Sequence, residues 1–238
     1  MSQGVYAALT RQVGLMREMD IVANNIANAA TTGFRSEAMI FSEFVRDIGG
    51  GASSLSMAAG HGHLTHMSPG TLEATGGTFD FAIEGEGFFQ IAAPDGLRIT
   101  RAGAFSLNPF GELVTFDGHQ VLDAGGVPVF VPPDARDIHL ASDGTLSADG
   151  RPVSQLGLFA PADPTDLQRA DGVSFTSASG FQPVDNPRIV QGFLESSNVE
   201  PVTEIARMIA VQNAYEMGQS FLQREDERMR AISRLLES

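Results

Sequence analysis

Two proline-free segments with helical apolar patterning, residues 3–30 and 202–237, stand at the ends of a chain whose twelve prolines all lie from Pro69 to Pro201. Proline removes a backbone donor and breaks helix interiors, so long helices are confined to the two ends. The middle must be built from something else. Terminal helices flanking a domain of another kind pack either on their own domain or against other chains, and the pattern by itself leaves both arrangements open.

At the N-terminal end, Val5, Leu9, Gln12, Met16, Met19, Ala23, Ile26 and Ala30 follow an alternating four-three spacing that holds one stripe on a helix face. Arg11, Arg17, Glu18 and Asn25 fall off the stripe, which makes the helix amphipathic rather than membrane-spanning. Thr31 and Thr32 are poor helix residues, Gly33 suits the left-handed turn that ends a helix, and Phe34 follows as the expected cap contact. The C-terminal helix has its own start signals. Asn198 reads as a cap or turn residue, Pro201 fits the first turn, and Glu200 and Glu204 place negative charge at the positive helix end. Its stripe, Met208, Gln212, Tyr215, Gln219, Leu222, Asp226, Met229, Ser233 and Leu236, mixes polar and apolar residues. Ile205, Ile209, Phe221, Ile232 and Leu235 widen it.

Between the helices, Asp-Gly pairs at 95–96, 117–118, 143–144, 149–150 and 171–172 separate short alternating runs such as FFQIA, ELVTF and VPVFV. Asp-Gly tolerates the positive φ of hairpin turns, so the middle is expected to be antiparallel β. The small, Gly-rich stretch 49–70 reads as a loop or extended connector. The fold class is therefore α+β: long N- and C-terminal helices flanking an antiparallel all-β middle. Three regions are expected: a helical part at 1–34 and 200–238, a connector at 35–71, and a β-rich domain at 72–199.

Charge and composition narrow the function. Of the formal net charge of -14, residues 36–199 carry 20 acids against 7 arginines. No basic stripe exists to neutralise phosphates, so nucleic acid is not expected as a partner. Cysteine is absent, which removes thiolate chemistry and Cys-ligated metal. The start MSQGVYAALTRQ lacks a basic leader followed by a long apolar run, so no cleaved signal peptide is expected.

His61, His63 and His66 could ligate a metal through their imidazoles, but no carboxylate partner stands beside them, and a solvated loop is the simpler reading. Gly85-Glu86-Gly87-Phe88-Phe89 starts like a dinucleotide fingerprint, yet it lacks the third glycine and runs into a strand. A bend in a sheet explains it better. The pairs Glu84 with Glu86 and Asp134 with Asp137 have no cleft context, and Ser174 to Ser179 lacks a nucleophile elbow. No catalytic residue, cofactor site or metal site is expected.

The segment VANNIANAATTGFRSE, Val22 to Glu37, closely resembles the N-terminal hallmark of the flagellar rod and hook proteins. DFAIEGEGFFQI at 80–91, RITRAGAFSLNPFGELVTFDGHQVL at 98–122 and LESSNVEPVTEIARMIAVQNAYE at 194–216 match in the family order, covering both ends and the middle. The resemblance implies a structural subunit of the bacterial flagellar basal-body rod, part of the hollow periplasmic drive shaft that transmits torque from rotor to hook. The short length and single compact middle domain are most like the proximal-rod member, with the distal-rod member as the alternative.

It further implies export from the cytoplasm by the flagellar type III apparatus without leader cleavage, and terminal helices paired as a coiled-coil-like layer. The implied partners are other copies, neighbouring rod proteins including the distal-rod protein, and that export apparatus; neither nucleic acid binding nor membrane insertion is implied. Subunit-interface residues are expected at Leu9, Met16, Asn24, Asn25, Ile26, Asn28, Thr32, Gly33, Phe34, Ile205, Met208, Ile209, Tyr215, Leu222 and Met229. The competing class is a soluble β-rich, metal-dependent hydrolase or binding module built on the His cluster.

Overall fold

A computed structural model describes residues 3–46 and 55–236. Helix α1 spans Gln3–Ala27 and helix α2 spans Pro201–Leu236, and among the described residues the regular structure between them is β apart from a 3-10 turn at Pro164–Asp166. The α+β class expected from the proline map therefore holds. The strands are β1 (Glu37–Arg46), β2 (Leu55–Thr65), β3 (Leu72–Ala74), β4 (Phe81–Ile83), β5 (Phe88–Ala93), β6 (Gly96–Thr100), β7 (Ser106–Leu107), β8 (Leu113–Val114) and β9 (Gln120–Val121). They continue as β10 (Ile138–Leu140), β11 (Thr145–Ala148), β12 (Arg151–Gln155), β13 (Leu158–Pro161), β14 (Leu167–Asp171), β15 (Ser174–Ser177), β16 (Phe181–Pro183), β17 (Ile189–Gln191) and β18 (Phe193–Glu195).

The chain divides into two compact units, one of residues 1–29, 36–66 and 199–238, the other of residues 30–35 and 67–198. In the first, the helical unit, α1 and α2 run antiparallel: Gln12 Nε2 donates to the Tyr215 carbonyl at 3.0 Å, and Arg207 Nη2 donates to Glu18 Oε1 at 2.9 Å. The buried face of α1 is formed by Gln12, Leu15, Val22 and Asn25, with Ile21 alongside. Gly218 supplies the notch for Gln12, since a Cβ there would stand 2.0 Å from Gln12 Nε2.

The same unit holds a long antiparallel hairpin, β1 against β2, with Glu37 opposite Thr65 and Arg46 opposite Leu55. Both strands fall inside the expected connector 35–71, for which the sequence predicts no regular structure. Pairing with the apolar, alternating partner strand EAMIFSEFVR overrides the weak local propensity of LSMAAGHGHLT. A bulge at Ile40/Phe41 against Gly60/Gly62 absorbs the register change, leaving His61 as the extra residue.

The second unit is the β unit. Its largest sheet has the order β14-β15-β6-β5-β9-β8-β7, with β13 paired to both β5 and β16. Smaller sheets are β10-β11-β12, β17-β4 and β18-β3. Hairpin chemistry follows the sequence closely at Asp149-Gly150, where φ values of 49° and 75° give the doubly positive turn joining β11 to β12.

Alternation along β5 sends Phe89 and Phe88 to opposite faces. Phe89 packs edge-on to Phe105 at 5.2 Å in the main core, with Phe81, Ile91, Leu113 and Val121. Phe88 meets Phe175 at 6.0 Å in a second cluster with Ile99 and Phe159. The Gly85-Glu86-Gly87 run is a bend, as expected, with φ of 113° and 105° at its glycines.

Candidate assembly site

The hallmark segment splits between the two units at Ala29/Ala30. On the helical side, Asn25 is fully buried: its Nδ2 donates to the Glu37 carbonyl at 2.8 Å and to Glu204 Oε2 at 3.3 Å, and its Oδ1 accepts from the Glu37 N–H at 3.0 Å. One amide thus ties α1 to the start of β1 and to the first turn of α2, which only a side chain with both donor and acceptor can do. Asn24 is exposed, and Asn28 caps locally, its Nδ2 donating to the Asn24 carbonyl at 2.9 Å. Substitution Asn25→Ala strands the Glu37 peptide groups. It should destabilise the helical unit by about 1–3 kcal/mol, read as an earlier loss of helical circular dichroism on heating.

On the other side, residues 30–35 are part of the β unit. Gly33 was expected to close α1, which instead ends at Ala27; it does take the left-handed conformation, with φ of 69°, and its N–H donates to the Glu195 carbonyl at 2.7 Å. A Cβ there would meet Ala102 N at 2.3 Å, so both conformation and space demand glycine. Phe34 was expected as a cap contact of α1. It is instead completely buried in the β unit, where the Arg169 guanidinium stacks over its ring at 4.5 Å and over Phe175 at 4.9 Å.

Next to Phe34 lies an ion cluster that the expected list omits. Glu195 and Arg35 are both fully buried, with Arg35 Nη2 2.6 Å from Glu195 Oε1, and Arg101 Nη1 donates to Glu195 Oε2 at 3.2 Å. The Arg35 contact is close but poorly angled for a hydrogen bond, and its Nε and Nη1 have no acceptor among the described residues. The carboxylate also accepts the Gly70 N–H at 2.9 Å, and Arg101 Nη2 donates to the Gly85 carbonyl at 2.7 Å. Burial pulls the Arg101 guanidinium below its ordinary pKa, against which Glu195 pulls upward.

Two guanidiniums on one carboxylate in a dry interior form a clasp whose attraction offsets a large desolvation penalty. It fastens the exit of the N-terminal segment to the strand end that leads into α2. The Asn198 N–H adds a bond of 3.3 Å to the Phe34 carbonyl. Asn198, expected as a cap or turn residue, donates through its side chain to the Ser68 carbonyl at 2.9 Å.

The remaining expected interface residues fall into two sets. Ile26, Met208, Tyr215 and Leu222 are half-buried, as is Thr32 in the β unit. Leu9, Met16, Ile205, Ile209 and Met229 are exposed, roughly half their surface open. Val13 lies between Leu9 and Met16, and Val202 extends the Ile205–Ile209 line; both are exposed. Each helix therefore carries an uncovered apolar stripe beside the face it buries.

His66 is exposed, and the side chains of His61 and His63 lie outside the described residues. Among the described residues no group of three His, Cys, Asp or Glu is placed to hold a metal, and no helix is long and apolar enough to cross a membrane.

Residues 6–35 match the flagella basal body rod protein family, residues 82–148 the flagellar hook protein FlgE/F/G D1 domain, and residues 190–235 the flagellar basal body rod FlgEFG protein C-terminal region. The chain is 40% identical to the flagellar basal-body rod protein FlgF of Caulobacter vibrioides, covering 91% of this chain and 90% of that protein. It is 38% identical to FlgF of Mesorhizobium japonicum over the same shares, and 32% identical to the rod protein FlgG of Bacillus subtilis over 99% of each. Asn25 and Arg35 thus lie in the segment that matches the N-terminal family, and Glu195 and Glu204 in the one that matches the C-terminal family, and the chain belongs to the flagellar basal-body rod proteins.

Proposed function

We propose that this rod subunit, a structural protein and not an enzyme, polymerises through its two terminal helices. The uncovered stripes Leu9–Val13–Met16 and Val202–Ile205–Ile209 carry this reading, because their spacings of four and three place each set on one helix face. Helices of neighbouring copies and of neighbouring rod proteins cover those stripes, forming a coiled-coil-like inner layer. The higher identity to FlgF than to FlgG supports a proximal-rod position.

Repetition of such a heterologous contact about a screw axis gives an open hollow shaft rather than a closed dimer. The shaft lies in the periplasm, reached through the flagellar type III export apparatus without leader cleavage. The double substitution Ile205→Asp with Ile209→Asp tests the proposal. Both side chains are already exposed, so stability should change by less than about 0.5 kcal/mol per site, while swimming is lost and the protein is missing from purified basal bodies. Normal swimming with both aspartates in place would refute it.

A further inference from the structure

The β unit exposes two aromatic side chains to an unusual degree: Phe116 at 98% and Phe110 at 78%. They sit at opposite ends of β8. Phe110 tops the β7–β8 turn and Phe116 lies in the β8–β9 turn. Asn108 makes the Phe110 turn rigid, its Oδ1 accepting the N–H groups of Phe110 and Glu112 at 2.9 Å each while its Nδ2 donates to Glu112 Oε2 at 2.8 Å. Phe130, half exposed, lies beside this turn, bridged to Glu112, and completes an apolar knob.

At the Phe116 end lies a cavity of about 340 Å³, mostly apolar, lined by Ile91, Ala102, Ala104, Thr115 and Phe116 and bounded by Thr31 and Thr32. Residues 112–115 separate knob from hole by roughly 13 Å at about 3.3 Å per residue, further than a phenyl side chain reaches. One copy therefore cannot fill its own hole.

We propose that consecutive copies in the rod join their β units head to tail, Phe110 of one copy entering the cavity beside Phe116 of the next. The proposal rests on the polymeric reading above and adds the contact between the β units. A second copy is the occupant because each β unit carries both halves too far apart to meet within one copy, and a knob-to-hole contact repeated about the screw axis of the rod does not close. The ring of Phe110 meets the ring of Phe116, which loses its exposure in the same step.

The area involved says where the contact forms. Two aromatic side chains bury about 150–250 Å² each, well short of the roughly 1,200–2,000 Å² of an independent complex. The knob and hole therefore hold no dimer in solution and engage only between subunits that the helices already keep at high effective concentration.

The absence of native cysteine makes cross-linking a clean test. Pro109→Cys, beside the knob, and Asp117→Cys, on the cavity rim, are both at exposed positions and leave the two phenylalanines in place. Oxidation of basal bodies carrying both cysteines should give a ladder of covalent multimers, with none from either single variant. Adding Phe110→Asp should lower the multimer yield about tenfold or more, as loss of an aromatic anchor does.

Pro109→Cys alone giving dimers would mean that like ends meet, and would overturn the proposal. Motile cells of the double variant that yield no multimers would overturn the contact and leave the subunit role standing. Absence of the unmodified protein from purified basal bodies would overturn both.

Discussion

Replacing Glu195 with glutamine should destabilise the β unit by about 3–5 kcal/mol, the range expected when one partner of a buried ion pair is removed. The geometry makes the change severe. Glu195 is the carboxylate within bonding distance of both Arg35 and Arg101, and its own burial is complete. Glutamine keeps the shape and can still accept the Gly70 N–H, yet it leaves two guanidiniums in a dry site without a counter-charge.

A drop in melting temperature on the order of 10 °C follows for a unit of this size, measured by the near-ultraviolet signal of its aromatic core. The comparison that isolates the cause replaces the whole cluster, Arg35→Met, Glu195→Leu and Arg101→Met together. Buried ion clusters exchanged for apolar groups of similar volume are often as stable as before. The triple variant should therefore melt well above the single one. If Glu195→Gln melts like the unaltered protein, the clasp contributes nothing.

The triple variant also separates stability from transmission. The clasp holds the exit of the N-terminal segment against the strand that launches α2, so its directional ion pairs fix an angle that apolar packing fixes less well. A stable triple variant with weakened swimming is the expected combination.

Which parts of this arrangement could be read in the sequence depends on how local their causes are. The terminal helices were legible because a period of 3.6 residues and the absence of proline are properties of contiguous sequence. The covered face of α1 was not. Gln12, Met19 and Ile26 belong equally to the stripe through Leu9 and Met16 and to the adjacent one through Leu15 and Val22, and only the partner decides which face is buried. The β2 strand was invisible for a related reason: its glycines and histidines have weak preferences, and its pairing with β1 is what makes it a strand.

The clasp is the clearest case. Arg35 and Glu195 stand 160 residues apart in the chain, and no charge pattern along the sequence links them. Both do fall inside segments that resemble the rod family, Arg35 directly after Gly33-Phe34 and Glu195 before Ser196-Ser197-Asn198. Oppositely charged residues in two matched segments that flank one domain were the available signal.

Deletion of residues 202–238 should leave the β unit folded and abolish swimming. The first half follows from where the core lies. The clusters around Phe89 and Phe175, the clasp, and the bonds of Gly33 and Asn198 all belong to residues 30–35 and 67–198, none of which the deletion touches. Loss of stability in the β unit should stay within about 1 kcal/mol, which amide hydrogen exchange in β5, β6 and β15 would reveal as unchanged protection.

The second half follows from what α1 loses. Without α2, the Gln12 bond to Tyr215, the Glu18 pair with Arg207 and the Asn25 bond to Glu204 disappear together. A 25-residue helix of mixed polarity is then left without its helical partner, and helices of this kind are only marginally stable in water. Its exchange protection should collapse while that of the β unit persists. A truncated protein that still assembles and supports swimming would place the polymer contacts entirely in the β units, where the Phe110 knob would have to hold the rod on an area far too small to do so.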